Sequence, residues 1–239
     1  MRKILSSMRR AIQDYKMISP GDKIAVGISG GKDSLALLAA LAAYRKFSEV
    51  PYEVMGITVD MGFEGADYSQ VEKFCQSLGV EYIRKKTNIA EIIFDIRKEN
   101  RPCSLCAKMR RGALNDLAVE NGCNKVALGH HNEDVIETFF LSLFYEGRIY
   151  SFSPVTYLSR KDMYVIRPLI YTAEGDIKGY AKRSELPVVK NPCPMDGLSK
   201  RQDMKDFINE KNALDHSFKT RMMHAIQTGI DDWKLENYL

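Results

Sequence analysis

Lys23-Ile24-Ala25-Val26-Gly27-Ile28-Ser29-Gly30-Gly31-Lys32-Asp33-Ser34 is the stretch from which the fold of this 239-residue chain is read. The apolar run Lys23–Ile28 is punctuated by Ser29-Gly30-Gly31 and passes into the Ala/Leu-rich segment Ser34–Tyr44, which has the composition of a helix. A strand that turns through glycines into a helix makes an anion site. Loop N–H groups and the helix N-terminus converge on one point, and the helix dipole adds positive potential. Glycines let the backbone approach a phosphate closely. Ser29 and Ser34 offer hydroxyls and Lys32 a mobile charge. Asp33 would repel phosphate unless a cation such as Mg²⁺ stood between them. The segment is not a Walker A loop, because Val26 and Asp33 occupy the positions that need a glycine and a Ser/Thr. It is not a G-x-G-x-x-G either, since Gly27 is followed by Ser29.

The same alternation continues outward. Strands are expected at Tyr52–Val59, Val80–Arg84, Lys125–Leu128 and Tyr164–Leu169. Helices are expected at Asp67–Leu78, Cys106–Glu120, Glu133–Tyr145 and Thr172–Ser184, the last with Thr172 as its N-cap. Strands alternating with helices of this length predict an α/β fold, Rossmann-like in general form, with a mostly parallel sheet and helices on both faces. Ligands of such sheets bind at the carboxyl ends of the strands. Residues 1–20 are expected to form a basic N-terminal helix, 21–195 the α/β domain with the cysteine site, and 196–239 a helical tail.

Composition narrows the class. Hydrophobic residues are 45% and charged residues 28% of the chain, which excludes disorder as the overall state. No apolar run is long enough to span a bilayer, and Met1–Arg10 has no apolar signal core, so a cytoplasmic protein is expected. The net charge of +4 is compatible with a nucleic-acid partner without requiring one. Arg2, Lys3, Arg9, Arg10, Arg97, Lys98, Arg101, Lys108, Arg110 and Arg111 are the candidates to track RNA phosphates.

Five cysteines in a reducing compartment point to metal or catalytic use. Cys103 and Cys106 form a Cys-x-x-Cys behind Pro102. Cys193 stands between Pro192 and Pro194, a turn that two prolines stiffen. Cys75 and Cys123 read as small buried residues. Three cysteines without a fourth form an open coordination set. Spacing alone leaves an iron–sulfur cluster and a three-cysteine zinc site equally open.

Ser-Gly-Gly-x-Asp-Ser after the first strand resembles the PP-loop of the ATP pyrophosphatase superfamily, the adenine nucleotide alpha hydrolase-like proteins that split ATP between its α and β phosphates. A second motif, Gly129-His130-His131-Asn132-Glu133-Asp134-Val135-Ile136-Glu137-Thr138, is similar to the Gly-His-x-x-Asp-Asp-x-x-Glu-Thr run of the tRNA-modifying branch, with Glu133 replacing an aspartate. With the cysteines added, the chain resembles the tRNA 2-thiocytidine synthetase family from about Met1 to Lys211. It departs from that family at Cys193-Pro194-Met195-Asp196, where the relatives carry a second Cys-x-x-Cys.

The resemblance implies ATP- and Mg²⁺-dependent thiolation of a tRNA base. It implies pyrophosphate binding by Ser29, Gly30, Gly31, Lys32, Asp33 and Ser34, and an adenine site around Thr58, Val59 and Asp60, with Gly129 and Asp134 at the mouth of the sheet. It also implies a 4Fe-4S cluster on Cys103, Cys106 and Cys193, with Lys32, Asp33 and Cys193 serving catalysis. The implied partners are tRNA and a sulfur donor (a cysteine desulfurase or inorganic sulfide), with no membrane and a homodimer as one admissible assembly. The rival readings are a lysidine synthetase, an adenylating enzyme of a small metabolite, and a non-catalytic nucleotide sensor.

Overall fold

The computed structural model describes residues 1–99, 102–190, 192–195 and 200–238. Its centre is a six-stranded sheet of β1 (Asp22–Gly27), β2 (Tyr52–Asp60), β3 (Glu81–Lys86), β4 (Lys125–Ala127), β5 (Val155–Leu158) and β6 (Met163–Ile166), in the order β3-β2-β1-β4-β6-β5. Five strands run parallel, and β5 lies antiparallel along the outer edge of β6. The helices are α1 (Arg2–Asp14), α2 (Lys32–Tyr44), α3 (Ser69–Ser77), α4 (Ile89–Glu91, continued by a π-turn to Ile96), α5 (Pro102–Glu120), α6 (Asn132–Glu146), α7 (Glu174–Arg183), α8 (Lys200–Leu214) and α9 (Phe218–Gly229).

The strands alternate their side chains between two apolar layers, as the two-residue period of a strand requires. On β1, Ile24 and Val26 enter one layer and Ala25 the other. On β2, Val54 and Met55 divide in the same way. The first layer holds α2, whose residues Leu35–Leu41 are buried around the whole helix, as expected of a helix covered on every side. It also receives Ile4, Met8 and Ala11 from α1, Ile208 from α8, Ile226 from α9, and Trp233 from the C-terminal segment. The second layer is built on α5 and the turn around Ile89 and Ile93. Helices therefore cover both faces, as the sequence predicts.

Two local expectations are corrected. The helix expected from Cys106 begins at Pro102, so Cys103 lies in its first turn together with Cys106 and not ahead of it. Proline suits a first helical position, where its missing N–H costs nothing. Thr172 is not an N-cap. Helix α7 starts at Glu174, and the Thr172 hydroxyl instead meets Ser7 Oγ of α1 at 2.6 Å.

The strand order reverses between β1 and β4. The next strands built after β1 are β2 and β3 on one side, and β6 follows β4 on the other. Such a switch point opens a crevice beyond the carboxyl ends of the two strands. The glycine loop after β1 and the Gly129 turn after β4 meet there.

Candidate active site

The loop Ser29–Lys32 keeps its shape through its own serines. Ser29 N donates to Ser34 Oγ at 3.2 Å, Ser34 Oγ donates to Gly31 O at 2.9 Å, and the two hydroxyls stand 3.3 Å apart. Gly30 has φ +86°, and a Cβ there would lie 2.9 Å from Val189 Cβ. Gly129 approaches from the other side: a Cβ on it would stand 2.9 Å from the carbonyl carbon of Asp33 and 3.0 Å from Ser34 N. Gly129 thus packs on the loop backbone, and both glycines are places where only hydrogen fits.

Behind the loop lies a charged network. Lys32 Nζ contacts Asp33 Oδ2 at 2.9 Å and Glu174 Oε1 at 3.1 Å. Burial opposes the Lys32 charge, but Asp33 and Glu174 outweigh it and raise its pKa. Glu174 also accepts from Lys178 and Lys205, each at 3.0 Å. Its own burial is outweighed by the three lysines, which hold it down to about 2. His131 is buried, with Nε2 3.5 Å from Asp134 and 3.9 Å from Asp33, and Nδ1 3.4 Å from Glu133. Burial would neutralise the imidazole, yet the carboxylates of Glu133, Asp134 and Asp33 prevail and raise its pKa. Asp134 accepts from His131 N at 2.9 Å, closing the first turn of α6, and pairs with Arg201 of α8 at 3.2 Å. Asp33 Oδ1 is buried and accepts no hydrogen bond.

In front of the loop is a cleft of 230 Å³ lined by Ser29, Gly31, Asp60, Met61, Tyr68, Arg110 and Pro192, among others. Of the three residues expected around adenine, Asp60 lines it, its carboxylate fixed by Arg84 Nε at 3.1 Å. Thr58 is fully buried and donates to Ile28 O at 3.0 Å, bracing the end of β1. Val59 is buried in the second apolar layer.

The cleft also brings the cysteine-bearing elements to the loop. Arg110 lies one turn along α5 from Cys106, whose thiol donates to Met61 Sδ at 3.4 Å. Val189 N donates to Gly30 O at 3.0 Å, which ties the segment leading to Pro192 and Cys193 onto the phosphate loop. Burial raises the Cys106 thiol, Arg110 lowers it, and Cys193 and Cys103 both raise it, so each of those two thiols lies near Cys106. Cys103 is exposed, while Cys106 and Cys193 are half-buried. Cys75 and Cys123 are buried elsewhere, and burial pushes their thiols up to about 12 and about 11. Among the described residues, no three His, Cys, Asp or Glu side chains converge tightly enough to grip an ion as they stand. The donor chemistry nevertheless fits an iron–sulfur group, because the thiols acting on Cys106 are those of Cys103 and Cys193 and thiolates are the ligands such clusters take.

Sequence reasoning missed Glu174, Lys205, Arg201 and Tyr68. Nothing in their local sequence marks them, because each reaches the site from an element distant along the chain. Of the basic residues proposed for RNA, Arg110 lines the cleft, Arg10 lies over the Tyr171 ring on the α1 side, and Arg101 is outside the described residues.

The PP-loop domain family model matches residues 3–211. The tRNA-cytidine(32) 2-sulfurtransferase of Geobacter sulfurreducens is 35% identical over 94% of this chain and 89% of its own length. That of Syntrophotalea carbinolica is 38% identical over 87% and 82%. The solved structure of the U34-tRNA thiolase NcsA from Methanococcus maripaludis, with its [4Fe-4S] cluster, superposes with a TM-score of 0.75 at 25% identity, covering 94% of this chain and 78% of that one.

Proposed function

The chain belongs to the PP-loop family and to its tRNA-cytidine(32) 2-sulfurtransferase group, and from that premise we propose that it thiolates a tRNA cytidine at the expense of ATP. The observation that carries this reading is the single cleft in which the phosphate loop, the end of β2, the helix of the Cys-x-x-Cys and the Pro-Cys-Pro turn meet. A lysidine synthetase or a nucleotide sensor would need no cysteines at that place.

The cytosine carbonyl oxygen is a very poor leaving group, and transfer of AMP onto it makes it a good one. In that step the oxygen attacks the α-phosphate and pyrophosphate departs. Loop N–H groups and the N-terminus of α2 would hold the pyrophosphate. Lys32, kept beside the loop by Asp33 and Glu174, would neutralise charge growing on the leaving group. Asp33 is the residue that would hold Mg²⁺, since its buried Oδ1 lacks any hydrogen-bond partner. Asp60 and Tyr68 border the space left for the nucleoside. Cys103, Cys106 and Cys193 would ligate a 4Fe-4S cluster, which supplies an iron without a protein ligand at which inorganic sulfur is presented. In this proposal the sulfur donor is a cysteine desulfurase or sulfide, the compartment is the cytoplasm, and a homodimer is one admissible assembly. No helix among the described residues is long and apolar enough to cross a membrane.

Anaerobic purification followed by turnover tests the reading. The protein should be brown with about four irons per chain, convert ATP to AMP and pyrophosphate, and produce 2-thiocytidine in tRNA. Lys32→Ala should cut turnover by about 100-fold or more with the fold intact. ADP and phosphate as products, or a colourless zinc protein, would overturn it.

A further inference from the structure

Arg167 stands where β6 ends, on the side of the crevice away from the phosphate loop. Its Nη1 donates to Ser153 O at 2.6 Å and to Thr156 Oγ1 at 3.1 Å, and the guanidinium lies 5.0 Å from the centre of the Phe152 ring. Its Nε is buried without a hydrogen-bond partner. No carboxylate among the described residues forms an ion pair with it. Asp232 accepts from Ser153 Oγ at 2.7 Å. The charged and phenolic groups that act on it are Tyr150, Arg111 and Tyr238, and burial followed by Arg111 draws the guanidinium down to about 10. Arg111, exposed on α5, likewise makes no ion pair among the described residues.

His130, just beyond the end of β4, packs on the same Phe152 ring as Arg167. Its ring centre is 4.7 Å from that of Phe152, and its Nδ1 is buried and unpartnered. Burial and the neighbouring Arg167 hold it neutral, with a pKa of about 4. Two polar side chains therefore flank Phe152, each with an unanswered nitrogen, at the carboxyl ends of two adjacent parallel strands.

A half-buried guanidinium whose Nε is shielded from water and has no anion beside it is costly, and folds that keep one obtain the missing charge from a ligand or tolerate the loss. The guanidinium fork matches phosphate oxygens. The loop and β2 side of the crevice serves the ATP, which leaves the β4 and β6 side for the second substrate. We infer that Arg167, with Arg111 beside it, receives a phosphodiester of the bound RNA next to the reacting nucleotide. This rests on the tRNA reading above. Phosphate oxygens could come from the RNA backbone or from the pyrophosphate released from ATP, and the inference commits to the backbone.

The test is equilibrium binding of an unmodified tRNA transcript carrying cytidine 32 to the full chain, across a salt series, with calorimetric titration of pyrophosphate and of ATP in the absence of RNA. Arg167→Gln should weaken tRNA binding about tenfold and lower the salt slope by about 1. Arg167→Lys should keep most of the slope. Arg111→Gln, on an exposed side chain that no fold depends on, should lower affinity and slope in the same direction. The double variant should lose about 1 in slope and not 2 if both groups serve one phosphate. ATP and pyrophosphate affinities should not change. Unaltered tRNA affinity and slope in Arg111→Gln overturns the inference even if Arg167→Gln fails to fold. A parallel loss of pyrophosphate affinity overturns the assignment to RNA. Wild-type protein that does not bind tRNA would overturn the functional reading and this inference with it, whereas binding by wild type and variants alike overturns the inference alone.

Discussion

Replacing Glu174 by glutamine removes one charge from the network behind the phosphate loop while keeping its shape. The carboxylate is 7% exposed and accepts from Lys32, Lys178 and Lys205. Its pKa falls from 4.5 to about 2 in the fold. That difference corresponds to about 3 kcal/mol of stability at neutral pH, an upper value for a group whose lysine partners are partly solvated. The sign follows from the depressed pKa: the contribution is fully present above 4.5 and is lost as pH falls toward 2. At pH 3 about 1 kcal/mol of it would remain. Urea unfolding of wild type and Glu174→Gln at pH 7, 5 and 3 measures the gap directly. The expected gap is about 3 kcal/mol at pH 7, shrinking to about 1 kcal/mol at pH 3. A gap of the same size at every pH would refute the reasoning, because it would place the cost in packing or in a lost hydrogen bond and not in the ion cluster. A gap near zero at pH 7 would mean that the three lysines are satisfied by solvent.

Gly129→Ala should force the loop backbone at Asp33 and Ser34 to move, since a Cβ there would stand 2.9 to 3.0 Å from it. Stability should fall by about 1–3 kcal/mol and ATP affinity by about tenfold, read by thermal unfolding and by calorimetric titration of ATP. Cys75→Ser and Cys123→Ser should retain iron and activity, because both thiols are buried and held protonated. Cys103→Ser, Cys106→Ser and Cys193→Ser should each lose iron, measured by the visible absorption of the anaerobic protein.

Much of this molecule could be read along the chain because its decisive features are local. Apolar runs followed by glycines, then Ala/Leu-rich segments, specify a strand, a turn and a helix, and the parallel sheet with helices on both faces follows from their repetition. What stayed hidden is short or distant. Val155–Leu158 is a four-residue edge strand of half-exposed side chains, paired on one side only, and its pattern carries almost no periodic signal. Thr172 has the residue type of a helix cap, but tertiary packing gives its hydroxyl to Ser7.

Glu133 shows why a motif position and its role differ. In the sequence it stands where the similar family run carries its first aspartate. In the fold one oxygen accepts from Glu174 N at 2.8 Å and the other from Lys219 at 3.2 Å, so it couples α6 to α7 and α9. The lengthening from aspartate to glutamate suits that reach. Lysines and acids of this kind have no local signature, since they are chosen by partners dozens of residues away. The three cysteines proposed for the cluster stand out in the sequence for the opposite reason: cysteine is rare, and two prolines fix the turn around Cys193. Chemistry carried by scarce residue types can be seen in one dimension, whereas the electrostatics that hold Lys32 in place become visible only when the chain has folded.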